Sequence, residues 1–410
     1  MSFPQCRFCG TELRHTFADL GLTPLSNSYL TAEQLNQEER VYPLHARVCD
    51  KCFLVQLEEF ETPERIFSEY AYFSSYSESW LRHARLYSEA MVSRFGLNSE
   101  SQAVEIASND GYLLQYFLKH DIPVLGIEPA VNVAQAAEQK GIPTVTKFFG
   151  VSLARELSAA GKNADLLLGN NVLAHVPNLN DFVAGLRILL KPNGVITMEF
   201  PHLMQLISGN QFDTIYHEHF SYFSFLTVEE VFARHGLTLF DVEELSTHGG
   251  SLRIYAQQTE NAARETTSRV AELRQREVEA GARRLETFQA FGEKIKGTKR
   301  GLLDFLGKVK REGKSVVGYG APAKGNTLLN YCGIGKDIID YTVDLSPHKQ
   351  GHFLPGSHIP IYSPNRIDET RPDYVMILPW NLQEEIISQL ERVREWGGQF
   401  VVPIPSVEVI

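Results

Sequence analysis

The sequence predicts an α/β chain. Its centre is a doubly wound domain built on a parallel sheet, with a small cysteine-bearing module in front and a second strand-loop-helix domain behind. Three stretches carry this. Gln102-Ala-Val-Glu105-Ile-Ala107-Ser-Asn109-Asp110-Gly111-Tyr-Leu-Leu starts as a β-branched apolar run, breaks into a polar turn and resumes as a helix. Ser315-Val-Val-Gly-Tyr-Gly320-Ala-Pro-Ala-Lys324-Gly-Asn326 repeats that pattern near the C-terminus, and Cys6, Cys9, Cys49 and Cys52 form two Cys-x-x-Cys knuckles.

Taken in order, the knuckles come first. Each pair lets two thiolates point at one tetrahedral ion, so the four cysteines predict a closed, structural zinc site with no open position for chemistry. The intervening segment, residues 20–60, is too poor in apolar periodicity to build a core of its own and is expected to depend on that ion. Within it, Leu25-Ser-Asn-Ser-Tyr29 reads as a loop without a motif. Next, Tyr70-Ala-Tyr72-Phe-Ser-Ser75-Tyr76 crowds hydroxyls and rings ahead of a helix from about Ser77 to Phe95. It reads either as interdomain packing or as a lid, with Tyr72 and Ser75 toward a cofactor and Tyr76 toward a substrate.

In the central domain, a ligand belongs beyond the carboxyl end of the first strand, where the loop backbone and a helix N-terminus are accessible. Val124-Leu-Gly-Ile-Glu128-Pro129 supplies the next strand with an acid at its tip, placed for a ribose diol. A dinucleotide site needs Gly-x-Gly-x-x-Gly, and only Gly111 is present in the loop. Glu105 and Asp110 would repel a pyrophosphate but favour the ammonium and sulfonium of S-adenosylmethionine. The spacing acid, x, small, x, x, x, Gly, then Gly-x-Glu, resembles motif I and the ribose acid of class I methyltransferases. Another apolar strand ends in the amides Asn170 and Asn171, followed by His175, at the level where a transferring methyl would lie.

Gln211-Phe-Asp-Thr-Ile-Tyr216-His-Glu218-His219-Phe-Ser-Tyr222 is the densest acid-base cluster in the chain. Metal ligation, a structural histidine pair and proton abstraction by a histidine near neutrality are the three readings of it. The metal reading lacks the His-Glu-x-x-His helix spacing. A charged helical stretch from Asn261 to about Lys310 follows, and its apolar stripe predicts a connector that holds no site.

With these motifs in place, the chain resembles over its whole length the sugar C-methyltransferases that act on nucleotide-linked 4-keto-6-deoxy sugars, as in D-tetronitrose biosynthesis. The resemblance implies a class I methyltransferase (Rossmann-like) central domain, an N-terminal zinc-binding module and a second Rossmann-like C-terminal domain. Their expected bounds are 1–70 for the zinc module, 71–257 for the methyltransferase domain, 258–312 for the helical connector and 313–410 for the nucleotide-sugar domain. It further implies His219 as base, Tyr216 as acid, Glu218 as supporting acid, and Asn171 and His175 near the reacting carbon. S-adenosylmethionine is expected at Glu105, Ala107, Asn109, Asp110, Gly111, Glu128, Pro129 and Asn170. The sugar nucleotide is expected at Tyr76, Tyr222, His248, Gly320, Lys324, Asn326 and Asp344. The expected reaction is methyl transfer to C3 of a dTDP- or GDP-linked substrate. An O-methyltransferase and a non-catalytic zinc-bearing binding protein are the alternatives.

A net charge of −11 argues against general nucleic-acid binding. No basic n-region, apolar h-region or membrane-length run occurs, so a cytoplasmic monomer or small homo-oligomer is expected.

Overall fold

A computed structural model describes residues 3–62, 74–76, 78–261 and 263–410; Tyr72 lies outside them, and so does the side chain of Tyr76. Three sheets organise these residues. The first is antiparallel, ordered β1 (His15–Thr23), β2 (Tyr42–Val48), β3 (Val55–Gln56) and β9 (Ser221–Tyr222). Its last strand is lent by the central domain.

The second sheet has seven strands in the order β10 (Leu237–Leu245), β11 (Ser251–Gln258), β8 (Leu190–Pro201), β7 (Ala164–Asn170), β4 (Ala103–Ile106), β5 (Val124–Ile127), β6 (Thr144–Val145). The five strands from β8 to β6 are parallel, and β10 and β11 close the other edge antiparallel. Helices cover both faces, which is why β4 and β5 are buried at every position and read as unbroken apolar runs. The one acid within them is Glu105.

The third sheet runs β14 (Ile361–Tyr362), β13 (Thr342–Val343), β12 (Val316–Tyr319), β15 (Tyr374–Ile377), β16 (Gln399–Val402), β17 (Glu408–Val409), parallel except at β17. No helix among the described residues is long and apolar enough to cross a membrane.

The N-terminal segment has no core of its own, as its sequence implies, but shares one with distant parts of the chain. Phe17, Leu20, Leu44, Ala46 and Val48 pack in one cluster with Phe288, Phe291 and Ile295 of the connector and Leu328 of the C-terminal domain. Phe17 and Phe291 stack at 4.7 Å between centroids. A partner so far along the chain leaves no periodic trace in the segment itself. The connector forms the helices Ser268–Glu279, Leu285–Gln289 and Phe291–Arg311, and buries Val270, Leu273, Phe288 and Ile295. It also buries Glu277, whose carboxylate accepts from the Phe225 and Leu226 N–H groups at 2.6 and 2.9 Å and from His202 Nε2 at 2.6 Å. Those orphan donors begin the helix Phe225–Arg234.

A second buried acid sits beneath the site. Glu199 on β8 accepts from His83 Nε2 and Arg253 Nη2 at 3.0 Å each and from the Thr247 hydroxyl at 3.0 Å, while its backbone carbonyl accepts from Asn171 N at 2.7 Å. Removing one partner of a buried ion pair strands the other charge. Arg253→Met is therefore expected to cost about 3 to 5 kcal/mol, read as a lower urea midpoint. Adding Glu199→Gln should recover part of that loss.

Candidate active site

A cavity of about 710 Å³ opens where the three sheets meet. The loop after β4 forms one wall. Ala107, Asn109 and Gly111 all take positive φ, at 57°, 50° and 74°, and this folds the loop tightly enough for its backbone to face the cavity. At Gly111 a Cβ would meet Ile142 Cδ1 at 2.2 Å, so the glycine serves packing behind the loop. Glu128, at the tip of β5, is held rigid: Oε2 accepts from Asn109 N at 3.0 Å and Oε1 from Ala130 N at 2.9 Å. Each oxygen keeps a lone pair for a hydroxyl. Burial raises its pKa, against the pull of those two N–H groups.

Ala107, Asn109, Glu128, Pro129 and Asn170 line the cavity; Glu105, Asp110, Gly111 and Ser75 do not. Glu105 is fully buried, with both carboxylate oxygens unpartnered among the described residues, and burial, then the charges of Glu128 and Asp110, push its pKa well above the usual range. Asp110 Oδ2 and the Ser75 hydroxyl both bind the Lys140 ammonium, at 3.0 and 2.8 Å. The Asn170 amide, buried at the cavity wall, has no partner at either atom among the described residues. Amide atoms free to bond, beside an acid with lone pairs to spare, fit an adenosyl group bearing an amino acid tail.

The opposite wall carries the histidines. His219 Nδ1 lies 2.9 Å from the Thr214 carbonyl and His175 Nδ1 lies 2.8 Å from the Glu218 carbonyl. A carbonyl only accepts, so Nδ1 holds the proton in both rings and Nε2 holds the lone pair. The two rings meet edge to face at 4.7 Å, and Tyr216 lies 4.0 Å from His219 between centroids. Asn171 and His248, both at positive φ (55° and 54°), join through Asn171 Nδ2 to His248 Nε2 at 3.0 Å. Burial, then the neighbouring His175, holds His219 well below its ordinary value; burial lowers His175 and His248 to about 4 and raises Glu218 to about 7.

Glu218, expected as a supporting acid, does not contact the His219 ring through its carboxylate. The Thr214 carbonyl orients His219, while Glu218 Oε1 accepts from Asn27 Nδ2 at 2.7 Å. His217, given no role from sequence, reaches the Pro43 carbonyl at 3.3 Å.

The C-terminal domain adds Pro322, Ala323, Lys324 and Lys349 to the lining. Lys324 lies in the first turn of the helix Ala323–Cys332. Its ammonium donates to Asn381 Oδ1 at 2.7 Å and lies 4.6 Å from the Trp380 ring, and the buried Asp213 carboxylate, which accepts from Trp380 Nε1 at 2.7 Å, attracts it without direct contact. Burial lowers its pKa.

Tyr222, Gly320, Asn326 and Asp344 do not line the cavity. Tyr222 pairs with Val55 in the first sheet. At Gly320 a Cβ would strike Pro379 at 2.6 Å, Asn326 donates to the Ser26 carbonyl at 2.6 Å, and Asp344 accepts from Ala321 N and Ser346 N at 2.8 Å. They build the loops that carry the lining. Conversely, Leu25, Asn27, Ser28 and Tyr29, a motifless loop in the sequence, form part of the wall. Lys147, Phe148, Phe149 and Asp181 line it as well, with no local signal that could have found them.

The strand order of the second sheet, with a buried acid at the tip of β5, is that of a class I S-adenosylmethionine-dependent methyltransferase. Residues 80–242 match the family model of a methyltransferase domain, residues 246–405 that of a C-methyltransferase C-terminal domain, and residues 6–67 one described, provisionally, as a zinc binding domain. The chain is 36% identical over 406 residues to the C-methyltransferase NovU of Streptomyces niveus, covering 99% of this chain and 96% of that one. It belongs to the C-methyltransferase family. Among solved structures, the PH0226 protein of Pyrococcus horikoshii OT3 aligns at a TM-score of 0.38 with 15% identity, over 48% of this chain and 99% of its own. The SAH-bound magnesium protoporphyrin IX methyltransferase ChlM of Synechocystis PCC 6803 aligns at 0.35 with 14% identity, over 43% and 83%.

The histidine shifts have a thermodynamic consequence. Between pH 6.5 and about 4 the unfolded chain binds a proton at His248 that the folded chain refuses, so stability falls as pH drops through that window and is unaffected above it. His248→Gln should shrink the slope of unfolding free energy there by up to about 1.4 kcal/mol per pH unit, measured by urea titration across the window.

Proposed function

We propose that the protein methylates C3 of a nucleotide-linked 4-keto-6-deoxy sugar, with dTDP or GDP as the nucleotide. The observation that carries this reading is His219: a buried, neutral imidazole whose Nδ1–H is committed to a carbonyl, so that its basic Nε2 remains beside a tyrosine at the cavity wall. A carbon acid next to a ketone needs that pair, a base for the proton and a donor for the oxygen. Lys324, a cavity-wall cation with no carboxylate in direct contact among the described residues, supports a diphosphate on the substrate.

In this mechanism the sugar lies between the central and C-terminal domains. The keto group at C4 acidifies the C3 proton, His219 Nε2 takes it, and the Tyr216 hydroxyl donates to the oxygen as negative charge develops there. The ring receiving the proton is stabilised through its Nδ1–H by the Thr214 carbonyl. Asn171 and His175 shape the wall around the reacting carbon. S-adenosylmethionine, when bound along Asn109, Glu128 and Asn170, supplies an electrophilic methyl group. Holding both reactants in place can contribute roughly 7 to 11 kcal/mol to the barrier reduction, and one aimed oxyanion donor about 3 to 4.

For the cysteine cluster we propose one structural zinc ion. The four Sγ atoms lie within 4.8 Å of one another, with Cys6 to Cys52 at 3.6 Å and Cys9 to Cys49 at 3.5 Å. Zn–S bonds of about 2.3 Å in a tetrahedron require S–S edges of about 3.8 Å. Gln56 Nε2 also points at Cys6 Sγ, at 3.2 Å, as a donor to a thiolate.

His219→Asn is expected to lower turnover by at least about 10², and Tyr216→Phe by about 10² to 10³, on a dTDP- or GDP-linked 4-keto-6-deoxy sugar. Substrate bound to wild-type enzyme should exchange its C3 hydrogen with deuterated water, and near-normal turnover by His219→Asn would overturn the assignment. Metal analysis should find one zinc per chain, and Cys52→Ala should lose that metal and melt at lower temperature.

A further inference from the structure

The loop that leaves β1 brings one side chain of the N-terminal module to the acid of the active-site cluster. Asn27 Nδ2 donates to Glu218 Oε1 at 2.7 Å, across 191 residues of sequence. The loop itself is pinned on its far side by the C-terminal domain: Asn326 Nδ2 donates to the Ser26 carbonyl at 2.6 Å, the Tyr29 hydroxyl to the Ala321 carbonyl at 2.6 Å, and Leu30 N to the Phe353 carbonyl at 3.0 Å. Asn27 therefore arrives with little freedom, which keeps the entropic cost of its hydrogen bond low.

Glu218 is 4% exposed, and among the described residues its carboxyl group accepts from no other donor and pairs with no cation. The charged and titratable groups around it are Tyr29 from the same loop, Lys349 from the C-terminal domain, and Tyr216, His175 and His219 from the central domain. The Lys349 ammonium is turned away, to the Ala321 carbonyl at 2.9 Å and Asp344 at 3.4 Å. His175 faces the Glu218 backbone carbonyl.

Resting on the reading of the site given above, we propose that Asn27 is a positioning residue for this enzyme, fixing the Glu218 carboxyl group at the cavity wall. The donor's neutrality matters. A buried carboxyl left without a partner is destabilised, so some donor is required. An arginine or lysine there would place a second cation near His219, whose imidazole must stay neutral to act as a base. An amide positions the acid and adds no charge. Burial alone lifts Glu218, and the Asn27 hydrogen bond draws it back, leaving it at about 7, where it can titrate under working conditions. The cysteine-bearing module is thus part of the active site, acting through one hydrogen bond.

The test uses the full-length protein and the variants Asn27→Ala and Glu218→Gln, singly and combined. Glutamate carboxyl carbons are labelled with ¹³C, and the Glu218 resonance is assigned by its loss in Glu218→Gln. In free Asn27→Ala protein that resonance should titrate at higher pH than in wild type. With a 4-keto-6-deoxy sugar nucleotide, Asn27→Ala should lower kcat about tenfold, shift the pH profile in the same direction and leave S-adenosylmethionine affinity by calorimetry unchanged. In the Glu218→Gln background the further loss should largely vanish. An unchanged Glu218 titration, or an equal loss in both backgrounds, overturns the proposal. Should wild-type enzyme not turn over the sugar, the functional reading fails while the titration still reports on Asn27. If Asn27→Ala does not fold, Asn27→Ser, a shorter donor, serves for the same comparison.

Discussion

The imidazoles of His175, His219 and His248 favour the neutral form because the three sheets that meet around them shield the rings from bulk water, and burying the protonated form is costly. The rest of the site follows from that exclusion. The same desolvation holds Glu218 near neutrality and lowers the Lys324 ammonium. Backbone carbonyls at Thr214 and Glu218 select the Nδ1 tautomers, so basicity is confined to Nε2.

Exclusion on that scale needs the modules to close on one another, and the packing shows how they do. The first sheet takes its fourth strand from the central domain at Ser221 and Tyr222, immediately after the Tyr216 to His219 segment. That segment is therefore tethered on its C-terminal side to the cysteine-bearing module. The same sheet shares its apolar core with the connector and the C-terminal domain. Loop 25–29 lies between them, bonded to Glu218 on one side and to Ala321 on the other. Below, Glu199 ties β8 to His83, Arg253 and the turn that carries His248, so the strained backbone at Asn171 and His248 is held from underneath.

What could be read from sequence was local. The strand-loop-helix around Gly111, the acid at Glu128 and the paired Cys-x-x-Cys knuckles announce themselves because each chemistry is encoded within a few adjacent residues. The Tyr-His-Glu-His run was visible as a cluster for the same reason, though its composition left the role of Glu218 open. Asn326 and Asp344 illustrate the limit. Both are polar residues in glycine-rich, loop-forming contexts, and whether such a residue faces a ligand or a neighbouring backbone depends on where distant loops lie. Each turned out to hold a loop: Asn326 the Ser26 loop, and Asp344 the backbone at Ala321 and Ser346.

The sequence by itself determined the order of the modules, the doubly wound character of the centre, the kinship with C-methyltransferases and the residues offered for chemistry, because periodicity and short motifs are properties of neighbouring residues. Only the tertiary structure decided which of those residues face one cavity, which tautomers the histidines hold, and that a motifless loop near the N-terminus reaches the acid-base cluster. Those outcomes depend on burial and on contacts between residues hundreds of positions apart, such as Asn27 with Glu218 and Ser26 with Asn326. Desolvation and long-range hydrogen bonds exist only once the chain has closed on itself.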